Sequence, residues 1–294
     1  MAAAGFACTT IVPTLDREAE LEACLASIAA AAPAYAAVVV VDQGARPALR
    51  ARVEARGARY LHLERRGLSH ARNVALRNVT TPWVHFLDDD ATVSKDLLQT
   101  VAAGAGRHPD AAFLAARVVT PSGTAVMAGM DGRERRLEEP ADTLATVMSP
   151  GLFTSRSLLE RLGGFDERFG VGAGWPSGEE SDLLLRAFAA GEHGAYLPDA
   201  VVFHPDPLAV RDAASRLRRA RHYGRGLGAL LAKHADQSDR ARFTALARRF
   251  ERRALGGAIL SALRLRFDRA REYRESWRGR REGWRGWSSS GARP

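Results

Sequence analysis

The sequence predicts an α/β fold: a mostly parallel sheet flanked by helices, followed by a C-terminal helical extension. Three observations carry that expectation. Short, wholly apolar runs alternate with stretches of helical periodicity. Aspartates end two of those runs, Asp42 and the triplet Asp88-Asp89-Asp90, at the place where open α/β sheets bind ligands. Charge also shifts along the chain. Residues 1–204 carry 20 basic and 25 acidic side chains, whereas residues 205–294 carry 23 and 9. A boundary is therefore expected near His204, with one domain over 1–204 and a basic helical extension over 205–294.

Phe6 to Val12 reads as a buried strand closed by Pro13. Asp16 is placed to cap a helix whose Leu21, Leu25 and Ile28 recur at helical spacing. Val38 to Val41 is a short strand apolar on both faces, as a covered parallel sheet requires. A helix over 48–56, a strand over 59–63, a helix over 69–78 and a strand over 83–87 continue the alternation, which implies right-handed crossovers. Beyond Leu98 the pattern loosens. Phe113 to Val119 and Thr146 to Phe153 are candidate strands, Ser155 to Leu162 a short helix, and Tyr196 to Phe203 a last strand ending at His204. A glycine-rich stretch from Gly163 to Gly178 opens into Glu179-Glu180-Ser181-Asp182, the first turn of a helix. Acids there suit the helix dipole. Asp182 is expected to cap or pair locally, with Arg186 as a candidate partner.

With 46% hydrophobic and 26% charged residues the composition is that of a folded soluble protein. No run approaches the ~20 apolar residues needed to cross a bilayer. Met1 to Gly5 lacks the basic start of a secretion signal, and Cys8 and Cys24 read as reduced core thiols, so a cytoplasmic setting is expected. The positive charge is almost all arginine, Lys95 and Lys233 being the two lysines.

Three adjacent carboxylates repel one another, and a stable fold tends to hold them where a cation offsets the charge. At a strand end they can form a hard-metal site with positions open to phosphate oxygens. An acidic turn that merely ends a strand is the alternative.

Taken in order, the motifs resemble those of a GT-A-fold (Rossmann-like) glycosyltransferase of family 2. Val12-Pro13-Thr14-Leu15-Asp16-Arg17 resembles the first-strand signature, with Asp16 where Asn is more usual. Val41-Asp42-Gln43-Gly44 resembles the second-strand acid motif, and Gly67 to Asn73 the Gly-x-x-x-Ala-Arg-Asn helix start. Phe86 to Asp90 resembles the Asp-x-Asp metal motif. Gly163 to Glu167, then Gly178 to Leu183, resembles the acceptor-side loop and catalytic helix. The resemblance covers about 6–204.

It implies a metal-dependent inverting transfer of sugar from a nucleotide-diphosphate donor (UDP-, GDP- or dTDP-sugar) to an acceptor hydroxyl, in glycan or glycolipid biosynthesis. Asp90, with His204, would hold Mg²⁺ or Mn²⁺. Asp88 would face the ribose, and Asp89 would play a supporting part. Asp42 would meet the base, and Pro13, Thr14 and Asp16 would frame the nucleotide. Arg72, in a first helical turn, would favour phosphate, unless it forms a surface ion pair. Glu180 stands where the base stands, with Glu179 as fallback. Adjacent carboxylates raise each other's pKa, which suits a base. Trp175 would stack on an acceptor sugar, or else serve as a core aromatic. Tyr223 and Arg225, in Tyr-Gly-Arg-Gly, resemble a stretch near the donor or acceptor.

Tyr273, Trp277, Trp284 and Trp287 fall on one face of a helix amid arginines. That suits an anionic membrane surface, so a lipid-linked acceptor and a peripheral position on the inner face of the membrane are expected beside a plain glycan acceptor. The same stripe could instead dock on the chain itself or on a second copy. Gly279, Gly283 and Gly286 oppose a rigid helix in isolation. Nucleic acid is not expected as a partner. Two other functions compete: a nucleotidyltransferase, which would carry a Gly-rich first-strand loop, and a binding or scaffold protein that kept the fold without turnover.

Overall fold

The computed structural model describes residues 6–31, 35–44, 46–206 and 212–289. The chain divides into two compact units, Met1–Phe165 with Arg186–Pro207, and Asp166–Leu185 with Leu208–Pro294. The glycine-rich stretch and the next helix's start thus group with the C-terminal helices rather than with the sheet.

The first unit begins β1 (Cys8–Thr14), α1 (Glu18–Ala30), β2 (Tyr35–Asp42), α2 (Pro47–Glu54), β3 (Arg59–His62), α3 (Leu68–Leu76) and β4 (Trp83–Phe86). It continues with β5 (Thr92–Val93), α4 (Leu97–Arg107), β6 (Phe113–Val119), β7 (Arg135–Leu137), α5 (Pro140–Thr146), β8 (Leu152–Ser155) and α6 (Arg156–Leu162). After α7 (Glu179–Ala189), whose residues from Arg186 onward belong to this unit, it closes with β9 (Gly194–Phe203). The sheet runs β3-β2-β1-β4-β8-β6-β9-β5, and β7 pairs β9. From β3 to β4 it is parallel, as predicted, while β8 lies antiparallel to both β4 and β6. Residues of β1 are buried along its whole length, which is why it carries small threonines and apolar residues with no charged face.

Several local expectations are corrected. β1 runs through Pro13 to Thr14. Its pairing with β4 ends at Ile11, so the missing Pro13 N–H interrupts no bond on that side. Asp16 does not cap α1: it sits at φ +57°, a left-handed conformation aspartate tolerates, and Arg17 precedes the helix without a side-chain cap. Thr146 to Phe153 is not one strand. Pro150 breaks it into a 3₁₀ turn at Ser149–Gly151, and β8 starts only at Leu152. Gly151 is required there, since a Cβ would meet the Ala116 carbonyl oxygen at 2.7 Å. Ser155 caps α6 by accepting from the Leu158 N–H, and Gly163 at φ +69° ends it.

The second unit holds the glycine-rich loop, the first turns of α7, and three long helices. These are α8 (Ala213–Gln237), α9 (Arg240–Leu263) and α10 (Phe267–Ser289). α8 and α10 pack backbone to backbone through glycines. A Cβ on Gly228 would lie 2.0 Å from the Arg280 oxygen, and one on Gly283 2.0 Å from the Arg225 oxygen. The glycines that oppose an isolated helix, at roughly 1 kcal/mol each, are thus what lets this pair close. Arg221 of α8 reaches Glu275 and Glu282 of α10, at 3.3 and 2.6 Å. Of the aromatic stripe, Tyr273, Trp277 and Trp284 are half-buried and Trp287 packs inside the unit. Trp287 is buried, with its ring 5.8 Å from Phe169 and 6.2 Å from Trp175, and the Arg168 guanidinium 4.8 Å above it. α9 ends in a paired-turn cap whose left-handed position is Leu265 (φ +55°) rather than glycine, which costs about 1 kcal/mol or more.

Candidate active site

The sheet delivers three sets of side chains to one edge. Thr14 ends β1 opposite Asp42 at the end of β2, and Asp88 to Asp90 follow β4. His204 arrives by register: β5 pairs antiparallel with β9, Thr92 opposite Phe203. The residue after Phe203 therefore meets the residues just before Thr92. This juxtaposition follows from a two-residue strand that sequence periodicity does not reveal.

Asp88, Asp90 and His204 each offer a ligand atom, all within 4.8 Å of one another. His204 Nδ1 lies 2.7 Å from the Pro205 carbonyl oxygen and donates its hydrogen there. That tautomer turns the Nε2 lone pair toward Asp90 Oδ1, 3.5 Å away. Asp90 Oδ1 is buried and has no hydrogen-bond partner among the described residues. Two lone pairs aimed at one gap, beside a second carboxylate, fit a divalent cation, and a histidine whose other nitrogen is held by a carbonyl is the usual ligand arrangement. The residues therefore fit Mg²⁺ or Mn²⁺.

Asp89 turns the other way. It accepts from the Thr14 hydroxyl at 2.8 Å and from Arg17 Nη1 at 3.2 Å. Burial pushes its pKa up to about 6 despite those donors. Arg17 also reaches Asp90 Oδ2 at 2.6 Å, leaving Oδ1 to the gap. Nothing in the sequence singles out Arg17, since an arginine just after a strand carries no pattern.

Arg72 does form an ion pair, but from a buried position, to Asp88. It is wholly buried between the rings of Phe86 and Phe165, at 5.7 and 5.4 Å, and donates to Asp88 Oδ1 at 3.1 Å and to Ser149 Oγ. Its anchoring orients Asp88. Asp42 is buried, taking the Gly44 N–H and the Tyr60 hydroxyl, both at 2.7 Å. Pro13 is buried beside Thr14 on β1, and Asp16, exposed, meets Arg46 at 3.3 Å.

In the second unit, Glu179 and Glu180 open α7, the former buried and the latter half-buried. Asp182 is fully buried and bonds to Lys233 Nζ at 2.5 Å and His234 Nε2 at 3.0 Å. Arg186, named as its candidate partner, donates instead to the carbonyls of Leu162 and Gly164 at 2.7 Å each. Trp175 lies under the Arg225 guanidinium at 5.2 Å and against Gly286. Tyr223 is exposed, its hydroxyl 3.3 Å from Arg219.

Comparison with known proteins bears on the family and the fold. Residues 9–163, more than half of the chain, match the family described as Glycosyl transferase family 2. The pre-mycofactocin glycosyltransferase of Mycobacterium tuberculosis (strain CDC 1551 / Oshkosh) is 30% identical over 186 residues, 60% of this chain and 37% of that protein. The succinoglycan biosynthesis protein ExoM of Rhizobium meliloti (strain 1021) is 31% identical over 208 residues, 67% of this chain and 66% of its own length. This chain thus spans less than two thirds of either relative. The mannosyltransferase PcManGT of Pyrobaculum calidifontis, solved with GDP-Man and Mn²⁺, superposes with a TM-score of 0.56 at 21% identity, covering 98% of this chain and 76% of that one. That likeness is one of fold.

Proposed function

The chain belongs to glycosyl transferase family 2, and on that premise we propose that it moves a sugar from a nucleotide-diphosphate donor to an acceptor hydroxyl, with inversion and with a divalent cation. The observation that carries the reading is the gap between Asp90 Oδ1 and His204 Nε2, with Asp88 at its side. A cation bound there would supply Lewis-acid stabilisation of the departing diphosphate. Asp90 and His204 would hold it, and Asp88, oriented by Arg72, would complete the carboxylate set or meet the ribose. Arg17 would offer a positive side chain on the exposed flank of the acids, suited to a phosphate oxygen.

Asp42, Pro13, Thr14 and Asp16 are proposed to frame the nucleoside. Asp42 is already fixed by the Tyr60 hydroxyl and the Gly44 N–H, which leaves its remaining lone pairs oriented for the base. Glu180 is proposed as the base that takes the acceptor proton, with Glu179 as fallback; their place in the first turn of α7 supports this. Tyr223 and Arg225 remain proposed donor-side contacts and Trp175 an acceptor-side one. A glycan hydroxyl is the acceptor class, in keeping with a relative named for succinoglycan biosynthesis.

Thermal unfolding in the presence of UDP, GDP or dTDP, each with and without Mn²⁺, tests the donor site. One nucleotide at 100 times its Kd should stabilise the protein by about 2.7 kcal/mol, and only with the metal. Stabilisation that ignores Mn²⁺ would remove the metal from the proposal. Glu180→Gln should bind that nucleotide normally and lose roughly 10²- to 10⁴-fold in transfer rate. An unchanged rate would move the base elsewhere.

A further inference from the structure

The corner between α9 and α10 exposes an apolar surface that the second unit's own packing leaves uncovered. Leu255, Ile259 and Leu263 follow one another at four-residue intervals, and Leu260, Leu265 and Phe267 widen the strip. These six side chains are between 49% and 77% exposed. Isolated exposed leucines need no explanation, but six within thirteen residues do.

Beside the strip lies a cavity of about 210 Å³ lined by Arg264, Arg266 and Arg269, with Ser261 and Tyr273. None of these three arginines is in an ion pair among the described residues, in contrast to Arg216 and Arg221 of α8, which are held by Glu272, Glu275 and Glu282. Residues 252–271 contain six arginines and a single acid, Asp268. Leu265 projects at the corner from a left-handed backbone position that glycine ordinarily fills. Unpaired guanidiniums around a hollow and aliphatic side chains next to it call for a ligand that is anionic and apolar at once.

We propose that this corner docks on the surface of an anionic phospholipid bilayer, with Arg264, Arg266 and Arg269 receiving lipid phosphates while Leu263, Leu265 and Phe267 enter the acyl boundary. A second copy of the chain fits poorly, because a two-fold contact through this face would set six arginines against six. Nucleic acid would want aromatic rings for stacking, whereas five of the six exposed side chains are aliphatic. Attachment is peripheral, since no helix among the described residues is long and apolar enough to cross a membrane. The surface is distinct from the tryptophan stripe of α10, whose Trp287 is buried within the unit. The inference does not depend on the transferase reading.

Flotation of the full chain with phosphatidylcholine vesicles, and with vesicles mixing phosphatidylcholine and phosphatidylglycerol, tests it. Binding is expected on the anionic vesicles alone, weakening as salt rises. The variant Arg264→Glu/Arg266→Glu/Arg269→Glu should lose roughly 100-fold or more, since each arginine near such a surface contributes a factor of about five. Leu263→Ser/Leu265→Ser should lose about tenfold while keeping the salt dependence. All these positions are exposed, and equal melting temperatures would show that the variants fold. Should the triple variant melt early, Arg266→Gln serves in its place, with an expected loss of about fivefold. Equal binding to neutral vesicles, no binding to either kind, or undiminished binding by these variants would overturn the proposal. So would sedimentation equilibrium showing a dimer that Leu263→Ser/Leu265→Ser dissociates. Nucleotide-induced stabilisation measured on the same samples keeps this outcome separate from that of the donor site.

Discussion

After β4, Asp88 and Asp90 stand with His204, each offering a ligand atom within 4.8 Å of the others, and Asp90 Oδ1 has no hydrogen-bond partner among the described residues. In the helical unit, Asp182 and Asp166 are also gathered, but around the ammonium of Lys233, at 2.5 and 2.8 Å. His234 Nε2 meets the same Asp182 oxygen, Oδ1, that Lys233 holds, and Arg168 reaches Asp166 at 2.7 Å. Burial works against ionisation of Asp166, yet hydrogen bonds from Arg168 and Lys233 outweigh it and hold the carboxyl far below its usual range. One region leaves carboxylate atoms open for a cation from solution, while the other builds its cation into the chain. The difference separates a site from a strut. The Lys233 cluster ties the glycine-rich loop, the first turns of α7 and α8 together through its own ammonium, whereas the crevice cluster, though anchored by Arg17 and Arg72, leaves Asp90 Oδ1 without a hydrogen-bond partner among the described residues.

The sharpest way to break this comparison is to remove the built-in cation. Lys233→Met keeps the length of the side chain and leaves Asp182 buried without its charge partner. A destabilisation of about 3–5 kcal/mol is expected by denaturant titration. Lys233→Met combined with Asp182→Leu should recover much of it, because the orphaned carboxylate goes too. A loss under about 1 kcal/mol for the single variant would mean that the cluster is solvated and that no strut exists. The matching change in the crevice should have the opposite signature. Asp90→Asn should leave the melting temperature within about 1 °C or raise it, since it relieves repulsion among acids. Turnover should fall on the order of 10²- to 10³-fold, and the Mn²⁺ requirement for nucleotide stabilisation should disappear. An Asp90→Asn protein that is less stable and equally active would reverse the roles assigned to the two clusters.

The sequence carries these regions unequally. The strands that build the parallel half of the sheet are legible because burial on both faces makes them continuous apolar runs, and Asp42 and Asp88 to Asp90 are legible because they end such runs. Asp90 and His204 can each be picked out by resemblance. Their meeting cannot be read from the chain, since it depends on pairing between a two-residue strand and β9. Arg72 shows the same limit. Its place in a first helical turn suggests phosphate, while its burial between Phe86 and Phe165 depends on residues 14 and 93 positions away. The helical unit hides more. Lys233 left one trace, as a lysine in a chain that otherwise uses arginine almost throughout. A primary ammonium is a compact point charge that two carboxylates can share, which gives that exception a physical reason. The α10 glycines misled for a related reason: propensity scores a helix alone, and here the missing Cβ atoms are what allow α8 and α10 to touch.

A smaller effect arises within the first unit itself, where a buried histidine is held by a backbone carbonyl. His85 donates Nε2–H to the Pro150 carbonyl at 2.9 Å, accepts from the Thr10 hydroxyl at 3.4 Å and stacks on Phe153 at 4.1 Å. Burial lowers its pKa to about 4 from an ordinary 6.5, against the raising effect of the Pro150 carbonyl. The unfolded chain therefore binds a proton that the folded one refuses between those two values. Stability from this group is complete above pH 6.5 and is lost as pH falls toward 4, by roughly 2 kcal/mol at pH 5. His85→Gln, whose amide can make both hydrogen bonds, should flatten that part of the stability–pH curve measured by urea titration. If the slope between pH 6.5 and 4 is unchanged in the variant, His85 is already protonated in the fold, and the interior beneath the crevice is far more polar than its lining of Phe86, Phe153 and Leu152 implies.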